Sequence, residues 1–318
     1  MFHLSKYSIT LILCISLIGL ISFSLQPNND IKTSEALGEK LFSDPILSKD
    51  KTISCSSCHI PAFAFADTVA FSKGVAGKIG KRNAPSCMNL SDRDHFFYDG
   101  RAGTLEEQVS FPIEDNHEMN IPVSEVVKRL KEDRNYNHYF QIIFKSPPTE
   151  QLLKKCIADF ERTLETSHTK FDKFMQSDTS IFSASEKRGR ELFMGTKAKC
   201  FDCHFSPDFT GDEFKNIGLY DGLTFTDKGR YDITKDSNDL GKFKVPGLRN
   251  VAITKPYMHN GMFNSIKEVI DYYENPYKIV KQPINMDTTL LQPILFTVQE
   301  KIDLENFLNT LTDRRFLK

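Results

Sequence analysis

The apolar positions of this chain recur mainly at helical spacing. One apolar face follows Thr149 and consists of Leu152, Leu153, Cys156, Ile157, Phe160 and Leu164. This spacing predicts an amphipathic helix with Cys156 in its core-facing stripe. A Thr-x-x-Glu capping box at 297–300 opens a second such helix, whose predicted apolar face is Val298, Ile302, Phe307, Leu308 and Leu311. Strand-like alternation is rare, and the Gly- and Asp-rich residues 216–241 are predicted to form a long loop. The chain is therefore predicted to be mainly α-helical.

The first 25 residues have a different pattern. Residues 8–25 form an apolar run without a charge, preceded by Lys6. Such a run is typical of a secretory signal peptide or an N-terminal membrane anchor. Cys14 lies within it, but Leu13 precedes that cysteine where a lipoprotein signal has a small residue, so lipidation is not expected. We expect the rest of the chain to lie in the periplasm, tethered to the inner membrane if residues 1–25 are retained.

The helix patterns belong to an internal repeat. Residues 35–42 and 186–193 both place Gly in the middle and Leu-Phe at the end, and both are predicted to be short helices. Ser183 and Glu186 form a capping box at the start of the second. Self-similarity of this kind is typical of a duplicated structural unit.

The repeat continues further along each unit. Pro85 precedes Tyr98-Asp-Gly by 13 residues, and Pro246 precedes His259-Asn-Gly by the same interval. Each is followed by a cap-like helix start, Thr-x-x-Glu in the first unit and Ser-x-x-Glu in the second. These matches predict that one helical unit occurs twice.

Length and charge limit the architecture and the partners. The 318 residues are enough for two domains of ordinary size, which we place at 30–165 and 180–318. The formal net charge is −1, so the chain lacks the basic field that a nucleic-acid partner requires. Nucleic acid is therefore excluded as an expected partner.

Each predicted domain contains one Cys-x-x-Cys-His motif. The motifs occupy residues 55–59 and 200–204. In c-type cytochromes the two thiols of this motif bind the haem covalently and the adjacent His ligates the iron. The motifs predict two covalently bound haem c groups, held by Cys55, Cys58 and His59 in the first domain and by Cys200, Cys203 and His204 in the second.

Other uses of paired cysteines fit less well. A zinc knuckle would not need His after each pair, and a redox dithiol would follow a strand in a βαβ pattern. From this composition, chance predicts roughly 0.004 matches to the five-residue motif in the chain. Two further cysteines, Cys87 and Cys156, would form either a disulfide in an exported protein or two buried thiols, and for Cys156 we expect a buried thiol.

With these pieces in place, the sequence resembles the bacterial di-haem cytochrome c peroxidase family, which includes MauG-like enzymes. The segments that carry the resemblance are CSSCH (55–59), KRNAPS (81–86), FYDGRAGTLEEQ (97–108), HEM (117–119), ERTL (161–164), CFDCH (200–204), KVPGLRNV (244–251) and TKPYMHNG (254–261). The resemblance implies two cytochrome-c-like helical domains, with a peroxidatic haem on His59 and an electron-accepting haem on His204. The implied reaction reduces hydrogen peroxide to water with two electrons from a small cytochrome c or cupredoxin. Homodimers are common in the family, and a homodimer is favoured here.

The resemblance also implies a distal polar pair. Gln108 and Glu118 match the positions that the family uses above the peroxidatic haem. A carboxylate there can move a proton from one peroxide oxygen to the other. The alternative for Glu118 is a solvated helix charge. At Tyr98 the family often has Trp, and the chain contains no Trp; Tyr98 either relays an electron or only packs.

A calcium site between the domains is implied by three further matches. Asn83, Thr254 and Pro256 fall at the family's calcium positions, and amide and carbonyl oxygens are suitable ligands for this ion. The alternative is that Asn83 and Thr254 only cap turns.

Two departures concern the haem ligands. Many family members close the resting peroxidatic haem with a His in the loop after the first motif, whereas residues 60–94 here contain no His. The loop at 60–81 carries Phe63, Phe65 and Phe71 instead, so we expect an open first haem, with His95 and His117 as the alternative ligands. Tyr273 is the expected sixth ligand of the second haem, and Met258 is the competing candidate.

Two other functions remain open at this stage. One is MauG-like oxidation of a protein partner, which an open first haem and Tyr273 would favour. The other is electron transfer or peroxide sensing without turnover. A pure carrier has no need of a proton shuttle, so Glu118 and Gln108 favour the enzyme.

Overall fold

In the computed structural model, which describes residues 31–317, the chain folds into short and medium helices joined by long irregular loops. The helices of the described part are α1 (Ser34–Phe42), α2 (Leu105–Glu114), α3 (Val123–Glu132), α4 (Arg134–Phe144), α5 (Glu150–Arg162), α6 (Lys170–Met175), α7 (Ala184–Met194), α8 (Tyr231–Thr234), α9 (Ile266–Glu274) and α10 (Val298–Asn309). A two-stranded antiparallel ribbon pairs β1 (Phe214–Lys215) with β2 (Phe243–Lys244). The prediction of a mainly helical protein is confirmed.

Helices α1 and α5 cross at very close range. A Cβ atom built on Gly38 of α1 would lie 1.9 Å from the carbonyl oxygen of Cys156 on α5. One turn further on, the rings of Phe42 and Phe160 meet edge to face with centroids 5.2 Å apart. Cys156 is fully buried as a free thiol, as expected, and Cys87 is a second buried free thiol.

Helices α7 and α10 repeat this crossing in the second half. A Cβ on Gly189 would lie 1.9 Å from the carbonyl oxygen of Asp303, and the ring centroids of Phe193 and Phe307 are also 5.2 Å apart. Only glycine lets two helix backbones approach this closely, so the central Gly of each repeated segment has a direct structural reason. The predicted capping boxes at Ser183 and Thr297 are both confirmed.

The apolar face predicted for α10 is partly wrong. Phe307 and Leu311 are buried as expected. Val298 and Ile302 are 78% and 45% exposed, because the buried stripe of this helix instead runs through Asp303 and Leu304. A charged residue thus occupies a core-facing position, where Arg188 pairs with it, and this hides the true phase of the helix from an apolar pattern.

Residues 216–241 form a long and mostly irregular segment, as predicted. The only regular elements within 216–241 are α8 and a 3₁₀ turn at Ser237–Asp239.

The second half of each repeat unit contains a turn closed by one isolated β-bridge. The bridge pairs Phe96 with Ala102 in the first unit and Tyr257 with Phe263 in the second.

Within residues 31–317, no helix is long and apolar enough to cross a membrane. The apolar run at 8–25, which we interpreted as a signal peptide or anchor, lies outside the described residues.

Candidate active site

One continuous cavity of about 940 Å³ reaches both Cys-x-x-Cys-His motifs. Its lining includes both cysteines and the His of each motif. Apolar side chains from the paired helices complete it, among them Phe42 and Ile157 in the first half and Phe193 and Leu304 in the second. The interior space therefore lies where two covalently attached planar groups would have to fit.

The first motif forms a tight turn that aims its His ring. Cys55–Ser57 is a 3₁₀ turn, and the His59 backbone N–H donates to the Cys55 carbonyl at 2.9 Å. Nδ1 of His59 lies 3.0 Å from the carbonyl oxygen of Pro85 and 3.1 Å from that of Phe65. Carbonyl oxygens only accept, so Nδ1 carries the proton and Nε2 keeps its lone pair for a metal.

The second motif repeats this arrangement. Cys200–Asp202 is a 3₁₀ turn, and Nδ1 of His204 donates to the Phe209 carbonyl at 2.8 Å. The backbone carbonyl of Pro246 also raises the pKa of this imidazole, as the carbonyl of Pro85 does for His59. Burial lowers the pKa of both imidazoles, so each ring is neutral and suited to bind iron. The four motif cysteines are free thiols, and these donor sets fit two haem c groups.

Glu118 and Gln108 both line the cavity. Gln108 lies on α2, and Glu118 lies in the turn that follows this helix. Glu118 is close enough to Cys55 and Cys58 to raise the pKa of both thiols. The pKa of Glu118 is itself raised, mainly by burial and further by Asp115.

The loop after the first motif contributes no imidazole or thioether to the cavity. Its lining members within 60–81 are Ser72, Gly74, Gly80 and Lys81. Phe65 packs inward against Phe42 at 6.0 Å, whereas Phe63 and Phe71 are 41% and 37% exposed.

The two alternative imidazoles lie on the cavity wall. His95 packs against Phe214 with ring centroids 5.5 Å apart. The ring of His117 lies 3.4 Å from the Asp115 carboxylate and remains partly exposed. Both are among the residues that line the cavity.

Tyr98 and His259 meet inside this cavity although they are distant in the sequence. Their ring centroids are 6.5 Å apart, and His259 stacks on Phe243 at 3.9 Å with an interplanar angle of 12°. Burial lowers the pKa of His259 to about 4, so this ring is neutral. Burial also raises the pKa of Tyr98, which keeps the phenol protonated.

The three residues expected to bind calcium all belong to the cavity lining. Asn83, Thr254 and Pro256 all line the cavity. The Asn83 backbone N–H donates to the His259 carbonyl at 2.7 Å, and its Nδ2 donates to the Val69 carbonyl at 3.0 Å. The amide oxygen of Asn83 is thereby left as an acceptor, and hard oxygen ligands of this kind suit calcium. Among the described residues, no cluster of three or more His, Cys, Asp or Glu forms a metal site.

Tyr273 and Met258 occupy different surroundings. The pKa of Tyr273 is raised by burial, and the thiols of Cys203 and Cys200 add to this effect, which places the phenol beside the second motif. Met258 packs on the cluster formed by Leu219, Phe263, Tyr272 and Val280. Both line the cavity, and Tyr273 is the one within electrostatic reach of the second motif's thiols.

Sequence comparison decides the family. The MauG protein of Methylorubrum extorquens is 36% identical over 281 residues, covering 87% of this chain and 77% of that protein. The chain belongs to the di-haem cytochrome c peroxidase family. The family model of that description matches residues 32–180, and a cytochrome-c peroxidase of Pseudomonas sp. (strain SCT), IdrP1, is 31% identical over 90% of this chain and 83% of its own length. The chain is therefore an oxidoreductase of the peroxidase type, and the resemblance noted from its motifs is confirmed.

Solved structures agree with this membership. A MauG-like protein associated with microbial copper homeostasis superposes with a TM-score of 0.83 at 32% identity, covering 90% of this chain and 91% of that one. The diheme peroxidase BthA from Burkholderia thailandensis superposes with a TM-score of 0.79 at 23% identity, which shows a shared fold. Its coverage is 89% of this chain and 87% of the other.

One cavity residue of this peroxidase-family protein was missed by sequence reasoning. Glu161 lies on the cavity wall, is 4% exposed, and has a carboxylate oxygen, Oε2, that finds no hydrogen-bond partner in the described part of the chain. The signal that would have found it is the match between residues 160–164 and 307–311, where the repeat has Glu in one half and Leu in the other.

Proposed function

We propose that this protein reduces hydrogen peroxide to water at a haem held by Cys55, Cys58 and His59. The observation that carries the proposal is that Glu118 and Gln108 line the cavity that reaches this motif, with Glu118 close enough to Cys55 to raise the pKa of that thiol. Both side chains are half-buried, and desolvating a carboxyl group costs free energy unless the group has a chemical task. The haem on His204 would pass in the electrons.

The two halves would each be one cytochrome-c-like domain, at 30–165 and 180–318, with one haem c apiece. The support is the matched crossing of α1 with α5 and of α7 with α10, each through a glycine pressed against a backbone carbonyl. The matched tautomers of His59 and His204 support one haem per half.

The chain's own groups have separate tasks in the proposed mechanism. Bound haem would supply the iron that binds peroxide and the electrons that cleave its O–O bond. The Glu118 carboxylate takes the proton from the inner peroxide oxygen and returns it to the outer one, for which a raised pKa is suited. The amide of Gln108 orients the peroxide by hydrogen bonding. The Nδ1–H donated by His59 to Pro85 holds the proximal ring in place.

The neutral pair Tyr98 and His259 would carry electrons between the halves. Both rings line the cavity that reaches both motifs, and their ring centroids are 6.5 Å apart. Tyr273 would be the sixth ligand of the second haem, since it is the phenol beside Cys200 and Cys203. Calcium would bind at Asn83, Thr254 and Pro256, where the Asn83 amide oxygen is the available side-chain acceptor.

The setting follows from the same family. We propose a periplasmic location, with residues 1–25 as the export signal or the anchor to the inner membrane. The electron donor would be a small cytochrome c or cupredoxin, and the working form a homodimer.

A second function, MauG-like oxidation of a protein partner, is favoured by one observation. The loop after the first motif offers only Ser72, Gly74, Gly80 and Lys81 to the cavity. A first haem left without a ligand from this loop would react with peroxide before any reduction.

The test is the response of the oxidised holoprotein to peroxide, followed by absorption and EPR spectra. A high-spin ferric signal that peroxide converts at once supports an open first haem. If reduced cytochrome or cupredoxin then rapidly restores the ferric signal, the result supports the peroxidase. If the ferric signal is restored only in the presence of a protein partner, the result supports the second function. Two low-spin haems that are inert until one electron is added would contradict the open site.

A further inference from the structure

Glu161 is a buried carboxyl for which packing gives no reason. It lies near the end of α5, is 4% exposed, and lines the cavity that reaches Cys55. Within residues 31–317, its Oε2 has no hydrogen-bond partner. Burying a carboxyl group without a partner costs free energy, so a residue at this position needs another explanation.

The internal repeat supplies the comparison. Residues 160–164 read Phe-Glu-Arg-Thr-Leu, and residues 307–311 read Phe-Leu-Asn-Thr-Leu. The two turns have the same local structure, because Thr163 donates to the Phe160 carbonyl at 2.7 Å just as Thr310 donates to that of Phe307 at 2.6 Å. Leu308 lines the cavity at the place where the first half has Glu161.

The charged neighbours of Glu161 leave its carboxyl uncompensated. Arg162, the next residue, turns to the surface and pairs with Glu106 at 2.9 Å and Asp159 at 3.2 Å. From α1, the neighbour packed on the adjoining Phe160 is the apolar ring of Phe42.

On the cavity side, the titratable groups are the thiols of Cys55 and Cys87, whose pKa values Glu161 raises. Glu118 also raises the pKa of the Cys55 thiol. Burial raises the pKa of Glu161 to about 8, with Glu106 adding to the shift and Arg162 opposing it. The group therefore changes charge close to neutral pH.

We propose that Glu161 is the proton acceptor coupled to reduction of the haem attached through Cys55. This rests on the haem assignment made under the proposed function. At a pH above about 8, where Glu161 is ionised in the oxidised protein, entry of one electron into the first pocket from the small redox donor makes its carboxylate take up one proton from water and become a carboxylic acid. On oxidation it releases that proton. The added negative and positive charges cancel, and in a low-dielectric interior such cancellation stabilises the reduced state.

The coupling has a measurable signature. The reduction potential of the first haem falls as the pH rises above about 8, by up to about 59 mV per pH unit, which is the value of a tenfold change for a one-electron couple. The haem on His204 lacks this slope in the same pH range, since Leu308 occupies the equivalent position. One molecule thus contains both the test and its reference.

The experiment is a spectroelectrochemical titration of the holoprotein at several pH values. Glu161→Gln and Glu161→Leu, the second of which restores the residue of the other half, are expected to abolish the slope of the first haem and leave the second haem unchanged. The control is Glu150→Gln on the same helix, whose side chain is 53% exposed. This variant is expected to keep the wild-type slope.

Each remaining outcome has one meaning. A slope that persists in Glu161→Gln contradicts the proposal, because the proton then resides elsewhere. The mass of the protein is measured first to count the bound haems. Absence of haem on the first motif would overturn the haem assignment. Two bound haems together with an unchanged slope would overturn only the role of Glu161. If the variants fail to fold, redox-difference infrared spectra of the wild type decide. A carboxylic-acid C=O band that appears on reduction of the first haem supports the proposal, and no such band contradicts it.

Discussion

The backbone N–H of Val75 donates a 2.8 Å hydrogen bond to the carbonyl oxygen of Glu118. This bond ties the loop that follows the first motif to the residue proposed to move the peroxide proton. The contact is close because residue 74 is glycine: a Cβ there would lie 2.0 Å from the His117 carbonyl oxygen. The loop thereby determines where the Glu118 backbone lies.

Gly74→Ala is expected to displace Glu118. The backbone of Gly74 has φ −88° and ψ −168°, which alanine adopts without strain, so the effect comes from the steric contact alone. Overpacking of this kind costs about 1–3 kcal/mol of folding free energy, and peroxide turnover should fall about tenfold or more because the proton-transfer geometry is lost. Gly80→Ala is the matched control, since its nearest neighbour would lie at 3.5 Å. Equal turnover in both variants would show that the loop does not position Glu118.

Glu118→Gln is expected to lower kcat by about 100-fold or more, since general acid–base groups contribute at least that much. The raised pKa of Glu118 gives a second readout. Activity needs the carboxylate, so turnover rises with pH through a pKa above 4.5, the ordinary value for this group, and the Gln variant loses that acidic limb. Glu125→Gln, on an exposed part of α3, should change neither. Undiminished turnover in Glu118→Gln would indicate an electron carrier with incidental peroxide reactivity.

Gly38→Ala and Gly189→Ala test the two-domain proposal. In each, the new methyl group would lie 1.9 Å from a carbonyl oxygen of the partner helix, and we expect a loss of about 1–3 kcal/mol in the half that contains it. Calorimetry of the holoprotein should show two unfolding transitions, each lowered by its own variant. Gly103→Ala, with its nearest atom at 3.5 Å, is the control. If both variants lower one shared transition, the halves unfold as a unit.

Tyr273→Met is expected to raise the reduction potential of the second haem, because a thioether ligand favours the ferrous state more than a phenol oxygen does. Met258→Leu should leave the spectrum of that haem unchanged, since Met258 packs in a separate apolar cluster. Potentiometry and near-infrared spectra of both variants make the measurement. The reverse pattern would identify Met258 as the ligand.

Local patterns predicted the parts of this protein that local physics determines. Capping boxes, the motif turns and the helices after Thr149 and Thr297 depend on residues a few positions apart. The phase of α10 was misjudged because a charged residue, Asp303, faces the core and is balanced by Arg188 from another helix. Such compensation is not visible in an apolar pattern.

The candidate site shows the same division. The proposed iron ligands follow from a five-residue motif, whereas the contact between Tyr98 and His259 joins two distant segments and only the fold brings it about. Glu161 lies in a stretch of charged residues, next to Arg162 and near Asp159, which is typical of a solvated surface. Its burial on the cavity wall results from tertiary packing around α5, which no short-range pattern encodes.

The single cavity that reaches both motifs also sets how the two centres influence each other. Charged side chains such as Arg82 and Lys244 line part of this cavity, and the Phe, Ile and Leu side chains that line the rest screen charge less than bulk water does. Reduction of a haem at one motif would therefore lower the reduction potential of a haem at the other. Electron uptake by the pair would be anticooperative, and the molecule would pass through a distinct half-reduced state whose lifetime depends on how quickly a proton arrives.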